Sequence, residues 1–497
     1  MQGQEIELKA GLSTDEARAI LRTLRAAYGP AMPTAHLRSL YFDTPVQGLK
    51  ACGLALRVRR EGGRFIQTVK AGRTGIGGYQ QVRELESPVS GFKPRISSIA
   101  DRSVREAVET ATRATILVPQ FETNVRRTKW LVSEPHGEIE IALDRGWLEA
   151  DTRKAPILEL ELELKGGSPE ALFDLAEKLL AGTNACLSLA SKSARGYALA
   201  AGSYSCASPL ASKPGATTDG MTAGEVLQDV LSSLAETIAA NLHATMVSDD
   251  PEGPHQLRVA LRRLRSALRL FSGVLDRKLA TDLNLAAREI GRSVSALRDA
   301  DVLTEIIVGA GNPQADAYLR SELEAHRSAL RVEARRALGA LEATRFALRL
   351  QRLAAIEAWR HKANHLAETL ENVSQKPLAD RWARIVALGD RLSMLTVDER
   401  HELRKRLKEY RYMTENISVN KDVNHKLKII KKLQTALGTL NDLHVMANWN
   451  PDLGTFDAEE RFAEIRASLL TTGRYLGDVS LGRACRHWSA LRLLADQ

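Results

Sequence analysis

Hydrophobic and polar positions follow two rhythms along this chain. In the N-terminal part the period is two: Ile6–Leu8, Leu54–Arg60, Phe65–Lys70, Phe121–Val132, Glu138–Asp144 and Ile157–Lys165 alternate, and turns such as Glu61-Gly62-Gly63-Arg64 separate some of them. Helical spacing is sparse here, at Ser13–Tyr28, Ile99–Ala111 and Ser168–Ala181. Short strands in series predict an antiparallel sheet or barrel. Ala201–Gly220 is rich in Ser, Ala, Gly, Pro and Thr and reads as a linker. From Met221 onward the spacing is helical, and Pro and Gly sit mostly at breaks such as Pro251–Pro254 and Gly311–Pro313. The prediction is an α+β chain of two domains, residues 1–200 and 221–495, joined by 201–220.

The helical half repeats itself. His255, Arg258, Arg262 and Arg265 stand at offsets 0, 3, 7 and 10 of one segment, and His401, Arg404, Lys408 and Arg411 at the same offsets of another. A helix puts these offsets on one face and the intervening leucines on another. Leu297-Arg298-Asp299 follows the first segment and Leu440-Asn441-Asp442 the second, which suggests two repeated helical bundles. Between His255 and Leu275 there are five arginines and no acid, and Arg263 and Arg269 extend the stripe. From Arg404 to Lys432 ten Lys/Arg face three acids, with Lys405, Lys428 and Lys432 among them. Uncompensated stripes of this kind call for an anionic partner.

Charge is also patterned in the strands. Glu5, Glu7 and Lys9 share one strand face, as do Arg57 and Arg59, and Glu159, Glu161 and Glu163. Arg127 and Lys129 share another. Like charges stacked along a strand need opposite charges or a metal ion nearby. A closed barrel lined by acids and bases would hold Mg2+ at the carboxylates and phosphate oxygens at the guanidinium groups.

Glu5-Ile-Glu7-Leu-Lys9 resembles the ExExK signature that opens the CYTH superfamily of triphosphate tunnel metalloenzymes. Arg57, Arg59, Lys70, Arg127, Asp144, the Glu159–Glu163 strand and Lys192 support the likeness across residues 1–200. The resemblance implies an eight-stranded antiparallel tunnel that hydrolyses a triphosphate with Mg2+ or Mn2+. It assigns Glu5, Glu7, Asp144, Glu159, Glu161 and Glu163 to the metal, any two of the last three forming the family's pair. Lys9, Arg38, Arg57, Arg59, Lys70, Arg127 and Lys192 are assigned to phosphate, with Arg126 or Lys129 replacing Arg127 if the strand is bulged. Glu5, Glu7, Lys9 and Asp144 are the expected catalytic set.

The two basic segments resemble the CHAD domain, a helical family associated with inorganic polyphosphate. That resemblance implies phosphate contacts from His255, Arg258, Arg262, Arg263, Arg265, Arg269, His401, Arg404, Lys405, Lys408, Arg411, Lys428 and Lys432. The expected partners are inorganic triphosphate and inorganic polyphosphate. Adenylate cyclase, thiamine triphosphatase and an inactive polyphosphate-binding scaffold are the competing readings.

Composition narrows this further. Aromatic residues make up 5% of the chain and are nearly absent from the stripes, which disfavours nucleic acid as partner. The four scattered cysteines form no CxxC pair, and the N-terminus carries no apolar leader segment. A cytoplasmic protein with reduced thiols is expected. No apolar run long enough to span a bilayer occurs, so no membrane partner is expected; the sequence sets no oligomeric state.

Overall fold

The computed structural model describes residues 4–113, 115–187, 190–205, 207–213, 220–311, 316–357, 359–360, 363–417 and 421–495, with backbone alone at 421–422, 474–476 and 495. Residues 206 and 214–219 of the expected linker lie outside this set. The chain divides into two compact units: residues 1–209 with 235–248 and 342–358, and residues 210–234 with 249–341 and 359–497.

The first unit is a closed antiparallel barrel. Its strands are β1 (Gln4–Gly11), β2 (Ala35–Asp43), β3 (Ala55–Glu61), β4 (Arg64–Ile76), β5 (Tyr79–Val89), β6 (Val118–Glu134), β7 (Gly137–Ala150) and β8 (Arg153–Gly167). They pair in the order β5-β4-β3-β2-β6-β7-β8-β1, and a further β1–β5 pairing closes the ring. The two-residue strand β9 (Cys186–Leu187) adds to β1. Register sets which side chains share the lumen. Glu7 lies opposite Glu163, Lys9 opposite Glu161, Lys70 opposite Glu84, and Arg57 opposite Tyr41. Asp144 faces Arg127 on one side and Glu159 on the other.

The barrel buries apolar residues on its outside. Leu56, Val58 and Val69 point outward and pack with Leu49, Ile99, Val104 and Val108 from α2 (Gly48–Ala51), α3 (Arg102–Thr112) and the segment leading into α3. On the opposite side α4 (Glu170–Leu179) covers β1, β7 and β8, where Leu8, Leu160 and Leu162 are fully buried. Each such leucine contributes on the order of 2 kcal/mol. The helix α1 (Thr14–Tyr28) opens with a capping box between Ser13 and Glu16. α5 (Lys192–Ala200) packs against the lumenal side of β2, β6, β7 and β8, where Tyr197 and Leu199 meet Tyr41, Phe121, Leu148 and Ile157. Gly196 permits this approach, since a Cβ there would stand 2.1 Å from the Phe121 ring. α11 (Ala343–Ala355) also joins this unit, with Arg352 bonded at 2.7 Å to Asp174 of α4.

The second unit is helical. It contains α7 (Glu252–Leu270), α8 (Arg277–Ser293), α9 (Ser295–Ala310), α10 (Ala317–Ala340), α12 (Leu370–Gly389), α13 (Val397–Thr414), α14 (Lys421–Asn448) and α15 (Phe456–Ala495). α6 (Ala223–Val247) begins in it. The two repeat helices α7 and α13 pack on each other, each with its leucines inward: Leu257, Leu261 and Leu264 on one, Leu403 and Leu407 on the other. Among the described residues no helix is long and apolar enough to cross a membrane.

Candidate functional site

The barrel lumen is a cavity of about 410 Å³ lined mainly by charged residues. Glu5, Glu7, Lys9, Arg57, Arg59, Lys70, Arg127, Lys129, Glu161, Glu163 and Lys192 all reach it. Asp144 and Glu159 lie just behind, at 0% and 1% exposure. Strand alternation delivers these groups, because outward positions are claimed by leucine and valine. Lys192 arrives differently. Ser191 caps α5 by accepting from the Ala194 N–H at 3.1 Å, and this places Lys192 in the first helical turn. A cation at a helix N-terminus opposes the helix dipole. Here three carboxylates outweigh that: the ammonium donates to Asp144 at 2.7 Å and to Glu161 at 2.8 Å and also pairs with Glu159. Against the burial that opposes charging, these acids raise the Lys192 pKa.

The remaining charges form two groups. Arg127 binds Asp144 through two nitrogens, at 2.7 and 2.5 Å, and also reaches Glu161. Against burial, the surrounding cations hold Asp144 and Glu161 below the usual carboxylate range. On the other wall Lys70 pairs with Glu5 and, at 3.0 Å, with Glu84, which also binds Arg57 at 3.0 Å. Lys70 and Arg57 hold Glu84 low despite its burial. Glu5 behaves oppositely: burial, aided by neighbouring Glu7 and Glu84, raises it to about 8.

Arg59 stands apart. Among the described residues it has no carboxylate partner; its nearest hydrogen bond is a 3.4 Å contact to Ser39. Burial, then the adjacent Arg57 and Arg127, pushes its pKa down to about 10. A half-buried guanidinium without a carboxylate partner is a ready-made anion receptor.

The acids also suit a divalent cation. Asp144, Glu159 and Glu161 each offer a carboxylate oxygen, all within 4.8 Å of one another and all buried. Glu7 Oε1 lies 2.9 Å from the Lys9 ammonium and Glu159 Oε1 pairs with Lys192, so both buried oxygens already face a cation. Hard carboxylate oxygens of this kind fit Mg2+ or Mn2+.

In the helical unit α7 and α13 flank a cleft of about 370 Å³. Arg262, Arg265 and Arg269 meet His401, Arg404, Lys405 and Lys408 there, and α12 adds Arg381. Burial, then Arg404, Arg262 and Arg411, lowers Lys408 to about 7. His255 and His401 are also lowered by burial, and His401 Nδ1 is bonded to Asn441 of α14. Asp299 lies among Arg258, Arg262, Arg298 and Asp442 and makes no direct ion pair among the described residues; burial raises its pKa.

Comparison with known proteins places both halves. The CYTH domain family matches residues 3–197 and the CHAD domain family residues 229–450. The chain is a CYTH domain followed by a CHAD domain. Over 197 residues it is 31% identical to an inorganic triphosphatase of Haemophilus influenzae, covering 39% of this chain and 55% of that relative. The chain thus spans about half the length of that curated relative. A Hippeastrum protein described as an adenylyl cyclase with a dominant triphosphatase activity is 23% identical, at a TM-score of 0.30, across 39% of this chain and 94% of its own. The CHAD domain of Ricinus communis is 23% identical, at a TM-score of 0.43, across 58% of this chain and 96% of its own.

Several expected residues sit elsewhere. In the CYTH barrel Arg38 faces outward, opposite Arg60 and Asn124, and binds Glu122 at 2.7 Å. It does not line the lumen, because the inward positions of β2 are Leu37, Ser39 and Tyr41. Arg126 is likewise outside, while Lys129 is inside and paired with Glu140 at 2.9 Å. In the CHAD domain Arg263 binds Glu415 at 2.7 Å and lies over the Tyr412 ring. Arg411 also stacks on Tyr412 beside Glu415. Arg258 turns to the Gly291 carbonyl and Ser295. The acids missing from the first stripe are supplied by the second helix, where Glu409 pairs with Arg269 and Arg381. Lys428 and Lys432 are exposed on a different face, that of α14. Glu84, Tyr41 and Arg381 were not anticipated. For Glu84 a signal existed, since Glu84-Leu85-Glu86 repeats the alternation of Glu5-Ile6-Glu7.

Proposed function

We propose that the CYTH barrel hydrolyses inorganic triphosphate to pyrophosphate and phosphate with a bound divalent cation, Mg2+ or Mn2+, and that the CHAD domain binds inorganic polyphosphate. The observation that carries the first part is Arg59, a half-buried cation with no carboxylate partner among the described residues, in a lumen whose lining includes one aromatic residue among those described, Tyr41. That ring packs on Phe121. Nothing in the lining offers a platform for a nucleobase or thiazolium ring, which favours a bare phosphate oligomer over ATP or thiamine triphosphate.

Arg59, Arg57, Lys70, Lys9, Arg127 and Lys192 can neutralise the non-bridging oxygens, whose charge otherwise repels a nucleophile. Asp144, Glu159, Glu161 and Glu7 are the residues that would hold the cation. When bound, it withdraws charge from phosphate oxygens and favours an ionised water. Attack of a water on a terminal phosphorus would break the bridging P–O bond and release pyrophosphate, with the water's proton passing to a lumen carboxylate. Substrate must displace Lys70 from Glu5 or Lys192 from Asp144, so the present ion pairs hold the anion-binding groups in place.

For the helical domain the supporting feature is the cleft, where six expected Lys and Arg side chains and His401 converge and the Lys408 pKa is lowered to about 7. The scattered cysteines and the lack of a spanning helix among the described residues support a cytoplasmic location. A panel of triphosphate, ATP, thiamine triphosphate and long-chain polyphosphate, assayed for phosphate release with Mg2+ and Mn2+, tests the proposal. Triphosphate should be turned over fastest. Inactivity on every member would refute the enzymatic reading, and a faster rate on ATP would refute the substrate.

A further inference from the structure

The helices α14 and α15 form an antiparallel pair. Gly473 abuts Leu443 and Gly477 lies by Leu440, so residue number rises on one helix as it falls on the other. This levels Lys432 with the turn at Cys485–Arg486. One face of α14 is committed to α13, since Gly438 lies against the Arg404 guanidinium and Asn441 is bonded to His401. Lys428 and Lys432 point away from that face, Lys431 borders it seven residues before Gly438, and all three are exposed. On α15 Arg483, Arg486 and His487 lie one helical turn apart on a common side; the two arginines are exposed. Trp488 and Leu491 carry the buried side. Burial, then Lys432, Arg486 and Arg483, lowers the His487 pKa, in keeping with the register that sets Lys432 of α14 beside the α15 cations.

No acid occurs between Val423 and Asn441 or between Val479 and Ala495. Among the described residues none of these six side chains makes an ion pair. Exposed helical charge is ordinarily offset at i,i+3 or i,i+4, as Arg461 is by Glu464 on the same α15. Five permanent cations and one histidine without such offset form a concentrated positive field.

We propose that this face of α14 and α15 is a second polyanion-binding surface, separate from the cleft between α7 and α13, and that its ligand is an inorganic polyphosphate chain. The choice of ligand rests on the reading of the CHAD domain given above. Charge density supports it. The lysines span little more than one helical turn, about 6 Å. In condensed phosphate a single oxygen joins each charge to the next, whereas in nucleic acid a sugar intervenes. The condensed chain therefore places more charge within this footprint. The described lining cations are also without an exposed aromatic partner for base stacking.

The test uses the full chain and a long-chain inorganic polyphosphate, with binding measured across a salt series. One variant carries Lys428→Gln, Lys432→Gln, Arg483→Gln and Arg486→Gln; the other carries Arg262→Gln, Arg404→Gln and Lys408→Gln in the cleft. The first should lose at least tenfold in affinity, and its slope of log K against log salt should flatten by about 3, as expected for roughly four lost phosphate contacts. The second should keep salt-sensitive binding that the first set then removes. In the cleft variant, polyphosphate should raise the His487 titration midpoint followed by NMR. Wild-type affinity and slope in the first variant, with His487 unmoved, would overturn the proposal while leaving the cleft reading intact. Failure of the wild-type chain to bind polyphosphate would overturn both. Equal, surface-dependent binding of single-stranded DNA of matched charge would overturn the ligand.

Discussion

Replacing Lys408 by methionine should stabilise the protein, although it removes a charge from the centre of the cleft. Burial and three arginines hold this ammonium at about 7 against an ordinary 10.5. Taken at face value, that displacement corresponds to about 4–5 kcal/mol, and relaxation and salt should reduce the measurable part to about 2 kcal/mol. The folded pKa lies below the unfolded one. Between pH 7 and 10.5 the unfolded chain therefore holds the extra proton, and wild-type stability rises with pH across that window. The penalty is complete below pH 7 and absent above 10.5. Lys408→Met should thus gain most at pH 6 and nothing at pH 11, measured by urea denaturation of the helical unit's signal. Polyphosphate reverses the electrostatics. At pH 8 its binding should draw about one proton into the wild-type cleft, read by calorimetry in buffers of different ionisation enthalpy, and that uptake should vanish in the variant. Wild-type affinity should fall as pH rises through 7. A variant less stable than wild type at pH 6, or proton uptake unchanged by the substitution, would refute this account of the cleft.

In the barrel, Arg59→Ala should lower kcat/KM for triphosphate by about 100-fold or more without lowering the melting temperature, because the guanidinium has no acid partner to lose; a twofold effect would contradict its role as the anion receptor. Arg38→Ala should leave turnover within about twofold and cost less than 1 kcal/mol, since it breaks one half-exposed ion pair; a tenfold loss of rate would show that the residue reaches the lumen. Gly196→Val should destabilise the barrel by about 1–3 kcal/mol, because its Cβ would press into the Phe121 ring; unchanged melting would mean that α5 is not held there.

Six strands were legible because one face of each is apolar and the other charged. β2 and β5 were not. β5 carries Gln80, Glu84 and Glu86 inward and Gln81 and Arg83 on its other face, so polarity no longer marks a side. β2 places His36 and Arg38 outside and Ser39 inside, which likewise blurs the alternation. Alternation also shows why Arg38 was misplaced: the family resemblance assigned it to phosphate, but its parity relative to Leu37 and Tyr41 puts it outside. The lumen carboxylates on β1 and β8 were readable because period two carries the charges of a strand to one side. In the helical half, spacing located both stripes but not the acids that answer them. Glu409 and Glu415 lie far from α7 in sequence and meet Arg269 and Arg263 only through tertiary packing. Lys428 and Lys432 share the second stripe's stretch of sequence but belong to another helix, hence another direction.

α5 makes the barrel a cul-de-sac on one side. With Tyr197 and Leu199 wedged among Tyr41, Phe121 and Leu148, the described residues leave a long phosphate chain no exit through that end. On the proposed function, whatever enters would back out by the same doorway, and pyrophosphate and phosphate would compete with incoming triphosphate for it. A polymer could present only its tail there, so trimming from the terminus is open to it and mid-chain scission is not.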